Sequence, residues 1–293
     1  MRWPRRSPLL PLVLLVLLGE GCRRSRTPSE DAGTPEPGLQ GSLTVKGSDT
    51  LVVLGQRWAE HFMAAHPGAR IQVTGGGSGT GIAALINGST DIAMSSRPIQ
   101  DAERRQVRQR SPQGPLQFPV ARDGITFYVH ERNPVDSLSL AQLQAIYLGD
   151  LRNWKDVGGA DAPIVIYSRE SSSGTYVFVK EAMLHGQDFT ERAQLLPGTA
   201  AVVNAVSLEV HGIGYGGAAY ARGVKELKLR VGATDEAVPP TPDTLRSGAY
   251  PLSRELYFIL PGEPSGPARA FMEHVLSPEG QALVTEAGFF PVK

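Results

Sequence analysis

Three short runs of glycine and hydroxyl residues have the composition of an anion site. They are Gly47-Ser48-Asp49-Thr50, Gly75-Gly76-Gly77-Ser78-Gly79-Thr80-Gly81 and Arg169-Glu170-Ser171-Ser172-Ser173-Gly174-Thr175. Each run ends a β-like segment and opens a helix-like one, where free backbone N–H groups and the positive end of a helix dipole point at one spot. The sequence therefore predicts a cage of hydrogen-bond donors for an oxyanion.

The third run is the most specific, because it contains an arginine. The guanidinium of Arg169 is a rigid fork of donors that matches a tetrahedral oxyanion. The hydroxyls of Ser173 and Thr175 and the N–H groups of the helix start at Gly174 follow closely enough to reach the same ion. Taken alone, the run also fits an ordinary capped helix beside an exposed arginine.

The glycine run from Gly75 to Gly81 leaves two alternatives open. A dinucleotide-binding loop needs Gly-x-Gly-x-x-Gly and an acidic residue about 20 positions later. This run fits that spacing poorly, Asp91 follows too early, and the Lys-Ser/Thr pair of a P-loop is missing. The other alternative is a flexible glycine turn without a ligand.

Catalytic signatures are weak. The six histidines are scattered without metal-ligand spacing, and the sequence has no Gly-x-Ser-x-Gly elbow. A nucleophilic Ser172 or Ser173 would need a base that the sequence does not identify. We therefore expect a protein that is not an enzyme and needs no cofactor or metal, with an exported hydrolase as the alternative.

The composition is that of an ordinary globular protein. The chain has 293 residues, 41% of them hydrophobic and 20% charged, with 29 basic and 29 acidic residues. This balance gives no overall field that would recruit nucleic acid, so we expect no nucleic-acid partner and a local anion site. The length is sufficient for two domains.

The N-terminus has the pattern of an export signal. Arg2, Arg5 and Arg6 precede the apolar stretch 9–18, which is too short to span a bilayer and typical of a signal peptide. Residues 1–21 are therefore predicted to be a signal peptide, and residues 22–41 a lipid-anchor cysteine followed by a flexible linker.

Cys22 is the only cysteine and stands where the signal ends. We expect it to be lipidated and to tether the protein to the membrane. The usual lipoprotein signal has leucine three residues before the cysteine, whereas this chain has Gly19 there and Leu18 one position too early. A thiol without a role is the alternative.

From Ser42 onward the hydrophobic pattern predicts an α/β fold of parallel βαβ units. An amphipathic helix is predicted over 51–65, and strands over 116–120 and 125–130 are separated by a break at 121–124. Residues 232–250 contain three prolines and predict a loop-rich stretch.

Seven ordered segments resemble one family, the PstS and PstS-like phosphate-binding proteins of bacterial ABC phosphate uptake systems. The resemblance covers about Ser42 to Lys293. The segments are Gly47–Thr50, Gly75–Gly81, Asp91–Arg97, Ile146–Gly149 with Asn153-Trp154, Arg169–Thr175, Gly212–Tyr215 and Tyr250–Arg254.

The resemblance implies a two-lobed type II periplasmic-binding-protein fold with the ligand in the cleft between the lobes. Two hinge crossings, near 120–124 and 249–256, would divide the chain into lobe one (42–121 with 252–293) and lobe two (122–251). The implied phosphate ligands and their neighbours are Ser48, Asp49, Thr50, Leu51 (through its N–H), Ser78, Ser96, Arg169, Ser173, Gly174 (through its N–H) and Thr175.

Two positions depart from the family pattern. Ser96 stands where well-studied members have an aspartate that accepts the proton of monohydrogen phosphate and rejects sulfate. A serine imposes no charge penalty on sulfate, and Asp49 is a candidate substitute acceptor. Ser171 stands where an aspartate often braces the arginine, and Glu170 could take that role.

The sequence therefore predicts an exported, lipid-anchored, monomeric protein that captures inorganic phosphate and delivers it to an ABC permease. One alternative is a binding protein for another oxyanion, such as sulfate, molybdate or an organic phosphate. Another is a lipoprotein that senses phosphate and takes no part in transport.

Overall fold

The computed structural model of the chain describes residues 39–232 and 235–292. The predicted signal peptide, Cys22 and nearly all of the linker lie outside the described residues. Within the described ranges, no helix has the length and apolar character needed to cross a membrane.

Strands and helices alternate along most of the described chain. The strands are β1 (Gly41–Gly47), β2 (Ala69–Thr74), β3 (Ile92–Ser95), β4 (Leu116–Val129), β5 (Ser137–Ser139), β6 (Val165–Arg169), β7 (Gln194–Leu196), β8 (Gly212–Gly217), β9 (Lys225–Glu226), β10 (Lys228–Arg230) and β11 (Ser253–Leu260). The helices are α1 (Asp49–Ala65), α2 (Ser78–Asn87), α3 (Asp101–Arg110), α4 (Leu140–Leu148), α5 (Gly174–Ala182), α6 (Thr199–Leu208), α7 (Pro242–Ser247), α8 (Gly266–Leu276) and α9 (Pro278–Glu286).

The main sheet is mixed, with strand order β2-β1-β3-β11-β4-β8-β6-β7. β1 pairs in parallel with β2 and β3, and β6 pairs in parallel with β7 and β8. The central strands β11 and β4 run antiparallel to their neighbours. The α/β class is thus confirmed, and so are the parallel units for β1, β2 and β3, whereas the centre of the sheet is antiparallel.

The long strand β4 contributes to two separate cores. Val120 and Ala121 belong to a core with α1, α8 and α9, while Ile125 and Phe127 belong to a second core with α4 and α5. β11 pairs with β4 along the first part of the strand, and β8 pairs with it from Ile125 onward. One continuous strand therefore carries the chain from one core to the other.

The predicted break at 121–124 is wrong, because β4 is extended through it. The Asp-Gly pair at 123–124 suggests a turn from sequence alone. In the structure, Arg254 and Ser253 of β11 pair with Asp123 and Gly124, so the ladder keeps this segment extended. The arginine also neutralises the buried aspartate, which removes the main cost of placing it inside a sheet.

Helix α1 shows how the sequence positions the first loop. Its apolar face buries Leu51, Leu54, Trp58 and Phe62, as the periodicity predicted. The Trp58 Nε1 donates to the Gly280 carbonyl at 2.8 Å, which satisfies its one polar atom. This packing fixes the N-terminus of α1 at the carboxyl end of β1.

The stretch 232–250 was predicted to be loop-rich, and it contains the short helix α7. Thr241 caps this helix by accepting from the Thr244 N–H, and Pro242 occupies its first turn. Both features are signals of a helix start. The prediction missed them because it took the prolines only as a sign of loops.

Candidate anion-binding site

Four loops meet where β1, β2, β3 and β6 end. The first three strands are parallel neighbours, so their carboxyl ends share one edge of the sheet. Gly76 and Gly77 have φ values of 111° and 90°, which side chains rarely adopt, and they turn the chain sharply into α2. The Gly79 N–H donates to the Ser172 carbonyl at 2.9 Å, which joins the second and third loops.

Arg169 lies at the centre of this junction and is 1% exposed. Its Nη2 donates to Asp49 Oδ2 at 2.7 Å and to Glu170 Oε1 at 2.9 Å. Its Nε donates to Glu170 Oε2 at 3.1 Å, and its Nη1 donates to Thr199 Oγ1 at 3.0 Å. Every nitrogen of the guanidinium therefore has a protein partner, and two carboxylates compensate its charge.

Asp49 links two distant parts of the chain. Its second carboxylate oxygen, Oδ1, accepts from the Gly76 N–H at 2.8 Å. The carboxylate therefore fixes the glycine run as well as Arg169, 120 positions away in sequence. Asp49 and Glu170 both brace the arginine, which is the role that the sequence suggested for Glu170 alone.

The hydroxyls of Ser78 and Ser96 form one wall of the site. Both residues are buried, and their Oγ atoms lie 3.2 Å apart. The Ser96 N–H donates to Ser78 Oγ at 3.0 Å. A Cβ on Gly174 would lie against Ser78 Oγ and 2.6 Å from Ser96 Oγ, so α5 approaches this wall as closely as glycine permits.

The hydroxyls of Ser173, Thr175 and Thr50 form the opposite wall. Ser173 Oγ caps α5 by accepting from the Thr175 N–H at 3.2 Å and the Tyr176 N–H at 3.3 Å. Thr50 Oγ1 and Thr175 Oγ1 lie 3.2 Å apart, although the residues are far apart in sequence. All three residues are at most 2% exposed.

Two of the predicted ligands have different surroundings. The Leu51 N–H donates to the Ser48 carbonyl at 3.0 Å. Ser48 precedes α1, but its Oγ makes no capping bond and has no partner among the described residues, although it is buried. A buried hydroxyl without a partner costs free energy unless a ligand satisfies it.

Arg254 lies at the site but was not among the ligands predicted from the sequence. Arg254 of β11 is 8% exposed, and its Nη2 donates to Thr175 Oγ1 at 2.9 Å and to Thr50 Oγ1 at 3.3 Å. The same nitrogen donates to Asp123 Oδ2 at 3.0 Å. The segment Tyr250–Arg254 is part of the family resemblance, which is the one sequence signal that pointed to this arginine.

Burial dominates the ionisation of the groups around Arg254. Desolvation raises the pKa of Asp123 although the nearby Arg254 charge opposes the shift, and desolvation lowers the pKa of Arg254 although Asp123 opposes it. The geometry of the ion pair favours the charged form of both groups. Desolvation also raises the pKa of Tyr220, whose hydroxyl donates to the carbonyls of Asp49 and Thr50.

The arrangement supplies hydroxyl and guanidinium donors to a small volume that includes the N-termini of α1, α2 and α5. Such a set can stabilise a tetrahedral oxyanion by saturating its oxygens with hydrogen bonds. No histidine is among these side chains, and the described residues contain no group of three or more His, Cys, Asp or Glu that could hold a metal ion.

Comparisons with known proteins agree with this geometry. A family model described as the PBP superfamily domain matches residues 32–279. The phosphate-binding protein PstS of Pseudomonas aeruginosa is 33% identical over 305 aligned positions, covering 97% of this chain and 94% of the relative. The PstS of Staphylococcus epidermidis is 32% identical over 288 positions, covering 95% and 87%.

Solved structures give the same result. A protein from Clostridium perfringens, assigned as a phosphate ABC transporter substrate-binding protein and crystallised with bound phosphate, has a TM-score of 0.78 at 29% identity, covering 86% of this chain and all of that one. An ABC-type phosphate transport receptor from Vibrio cholerae has a TM-score of 0.68 at 27% identity, covering 85% and 99%. The predicted fold class and the family resemblance are confirmed, and the chain belongs to the PstS family of phosphate-binding proteins within the PBP superfamily.

Proposed function

We propose that this protein captures inorganic phosphate and delivers it to an ABC permease. The observation that carries the proposal is the convergence of Arg169 with the hydroxyls of Thr50, Ser78, Ser173 and Thr175 at three helix N-termini. These groups are hydrogen-bond donors, which a multiply charged oxyanion needs when it leaves water. The names of the relatives from Pseudomonas and Staphylococcus support phosphate as the ion.

Capture takes place between two lobes, 42–121 with 252–293 and 122–251. Two separate hydrophobic cores, which β4 connects, support this division. Each of the two parts of the chain also contributes side chains to the anion site. Thr50 and Ser78 belong to the first lobe, and Arg169 and Thr175 to the second. Closing the lobes around an ion would assemble the cage, and opening them would release it.

The protein acts outside the cytoplasm as a monomer and catalyses no reaction. Support for export is the apolar stretch 9–18 behind three arginines, and support for a lipid anchor is Cys22 at its end. A lipid anchor with a linker of about twenty residues would hold the domain close to the permease.

Selectivity against sulfate distinguishes two candidate functions of this site. Ser96 carries no charge that would repel a fully ionised anion, and both carboxylate oxygens of Asp49 already accept hydrogen bonds from Arg169 and Gly76. A binding protein for sulfate or another oxyanion is therefore the second candidate function.

Calorimetry of the full-length protein, freed of bound anion and titrated at about pH 8 with phosphate and then sulfate, tests the proposal. Tight phosphate binding with at least about tenfold weaker sulfate binding is the expected result, a difference of about 1.4 kcal/mol. Equal binding of both ions would favour the second candidate, and heat from neither would contradict both.

The anchor has its own test. The chain and a Cys22→Ser variant are expressed in bacteria and partitioned between detergent and aqueous phases. We expect the parent chain in the detergent phase and the variant in the aqueous phase. Equal partitioning of the two would contradict lipidation of Cys22.

A further inference from the structure

A groove outside the anion site lies between helices α1 and α6. It has a volume of about 370 Å³ and is also lined by the segment after β8 and the segment after α9. Sites that hold small organic molecules have volumes of roughly 300–1,000 Å³. None of the phosphate ligands predicted from the sequence lines this groove. It is therefore large enough for a small organic ligand and distinct from the anion site.

The walls of the groove are mainly apolar. Val203 of α6 and Phe289 are buried, with 8% and 4% exposure, and Val53 of α1 is 44% exposed. Because Val53 lines the same groove as the other two, it belongs to a continuous apolar surface. Ala200 near the start of α6 contributes only a methyl group, so a larger side chain there would narrow the groove.

Two cations line the same groove. Arg57 lies on α1 and Arg222 lies after β8, and neither side chain has an ion pair or a hydrogen bond within the described ranges. No aspartate or glutamate is among the described residues that line the groove. The local potential is therefore positive, and each guanidinium offers a fork of donors that matches a carboxylate.

Two of the polar side chains in the groove already have partners. The Tyr220 hydroxyl donates to the carbonyls of Asp49 at 2.8 Å and Thr50 at 3.1 Å, so its ring is what it offers to a ligand. The Ser207 hydroxyl donates to the Asn204 carbonyl at 2.8 Å within α6. The charge that a ligand would meet therefore comes from the two arginines.

We propose that this groove is a second binding site, which takes a small amphipathic carboxylate. Its hydrocarbon chain would lie against Val53, Val203 and Phe289, where leaving water favours binding. Its carboxylate would accept hydrogen bonds from Arg57 and Arg222. A phosphate ion has no apolar body to fill the groove, and a neutral alcohol has no charge for the arginines, so the groove distinguishes amphipathic carboxylates from both.

The experiment is calorimetry of the full-length protein in excess phosphate at about pH 8, where carboxylates are ionised. The protein is titrated with octanoate, octan-1-ol and acetate. Arg57→Gln with Arg222→Gln removes both charges, whereas Ala200→Leu narrows the groove and keeps them. Arg105→Gln with Arg192→Gln is the matched control, because both arginines are exposed and neither lines the groove.

We expect octanoate to bind equally to the parent chain and the control pair, with octan-1-ol and acetate binding at least about tenfold more weakly. The double variant of Arg57 and Arg222 and the Ala200→Leu variant should each lose at least about tenfold in octanoate affinity. Thermal unfolding checks that each variant is folded, and either of the two suffices for the test.

Three results would overturn the inference. The first is a parent chain that gives no heat with octanoate, which needs no variant to fold. The second is an unchanged octanoate affinity in a folded groove variant, since the ligand would then bind elsewhere. The third is equal affinity of the parent chain for octanoate and octan-1-ol, which would exclude recognition of the carboxylate by Arg57 and Arg222.

Discussion

The two arginines at the anion site are buried in different ways. Arg169 is surrounded by protein acceptors, with Asp49, Glu170 and Thr199 sharing its three nitrogens. Arg254 has one carboxylate partner and two buried nitrogens without an acceptor among the described residues. Because the carboxylates around Arg169 are partly exposed, its ion pairs are screened by solvent, while the Arg254–Asp123 pair is not.

This difference suggests that one arginine mainly affects ligand binding and the other mainly affects the stability of the folded state. Arg169 joins Asp49, at the start of α1, to Glu170 and Thr199, which lie far away in sequence, so its main effect should be on ligand binding. Arg254 joins the two strands that carry the chain between the cores, so its loss should affect the folded state itself.

Replacing Arg254 with methionine should cost about 3–5 kcal/mol of unfolding free energy, because it leaves the Asp123 carboxylate buried and unpaired. Replacing Arg169 with methionine should cost less, about 1–2 kcal/mol, because Asp49 and Glu170 can be hydrated. Urea unfolding of both variants without phosphate measures the two losses.

Adding Asp123→Asn provides the control for this prediction. The double variant should recover most of the stability lost in Arg254→Met, since the unpaired charge is gone. A larger loss of unfolding free energy in Arg169→Met than in Arg254→Met would contradict the distinction between the two arginines.

Gly174→Ala should weaken phosphate binding about 10- to 100-fold, corresponding to about 1–3 kcal/mol of overpacking. The added Cβ would collide with the hydroxyls of Ser78 and Ser96. Gly262→Ala is the matched control, because a Cβ there meets only Ser111 Oγ at 3.5 Å. Similar affinities of the two variants would show that close approach of α5 to these serines is not needed for binding.

Asp49→Asn should weaken both phosphate and sulfate binding by about fivefold, or about 1 kcal/mol, and leave their ratio unchanged. The asparagine can still accept from the Gly76 N–H but loses the charge that braces Arg169. Titration of both ions measures the ratio, and Glu170→Gln is the matched comparison. A change in the ratio for Asp49→Asn alone would instead make Asp49 the substitute for the missing aspartate at Ser96.

The smallest expected effect concerns the carboxyl of Glu226. Glu226 is half-buried, and desolvation raises its pKa to about 7. Since this pKa is above the ordinary value of 4.5, the stabilisation is complete below about pH 4.5 and is lost as the pH rises through about 7. Glu226→Gln should therefore flatten the fall in stability between these pH values by roughly 1 kcal/mol, after allowing for solvent screening. An unaltered pH profile of thermal unfolding would exclude this account of Glu226.

The sequence predicted the meeting of three donor-rich loops, because each loop is encoded locally. The loops at Gly47–Thr50, Gly75–Gly81 and Arg169–Thr175 each contain their own turn, cap and donors, so short-range patterns reveal them. Arg254 has no such neighbours, because its role depends on the pairing of β11 with β4 and on threonines about 80 and 200 positions away. The continuity of β4 was missed for the same reason, since strand pairing overrides the local turn signal of Asp123-Gly124.

The most direct test of the central claim is a crystal structure of the full-length protein grown with phosphate at about pH 8. The account predicts one phosphate ion between the lobes, with its oxygens accepting from Arg169 and from the hydroxyls of Thr50, Ser78, Ser173 and Thr175, and with Arg254 behind the two threonines. A phosphate ion bound elsewhere, or a cleft that stays without an ion although the crystals contain phosphate, would contradict the account.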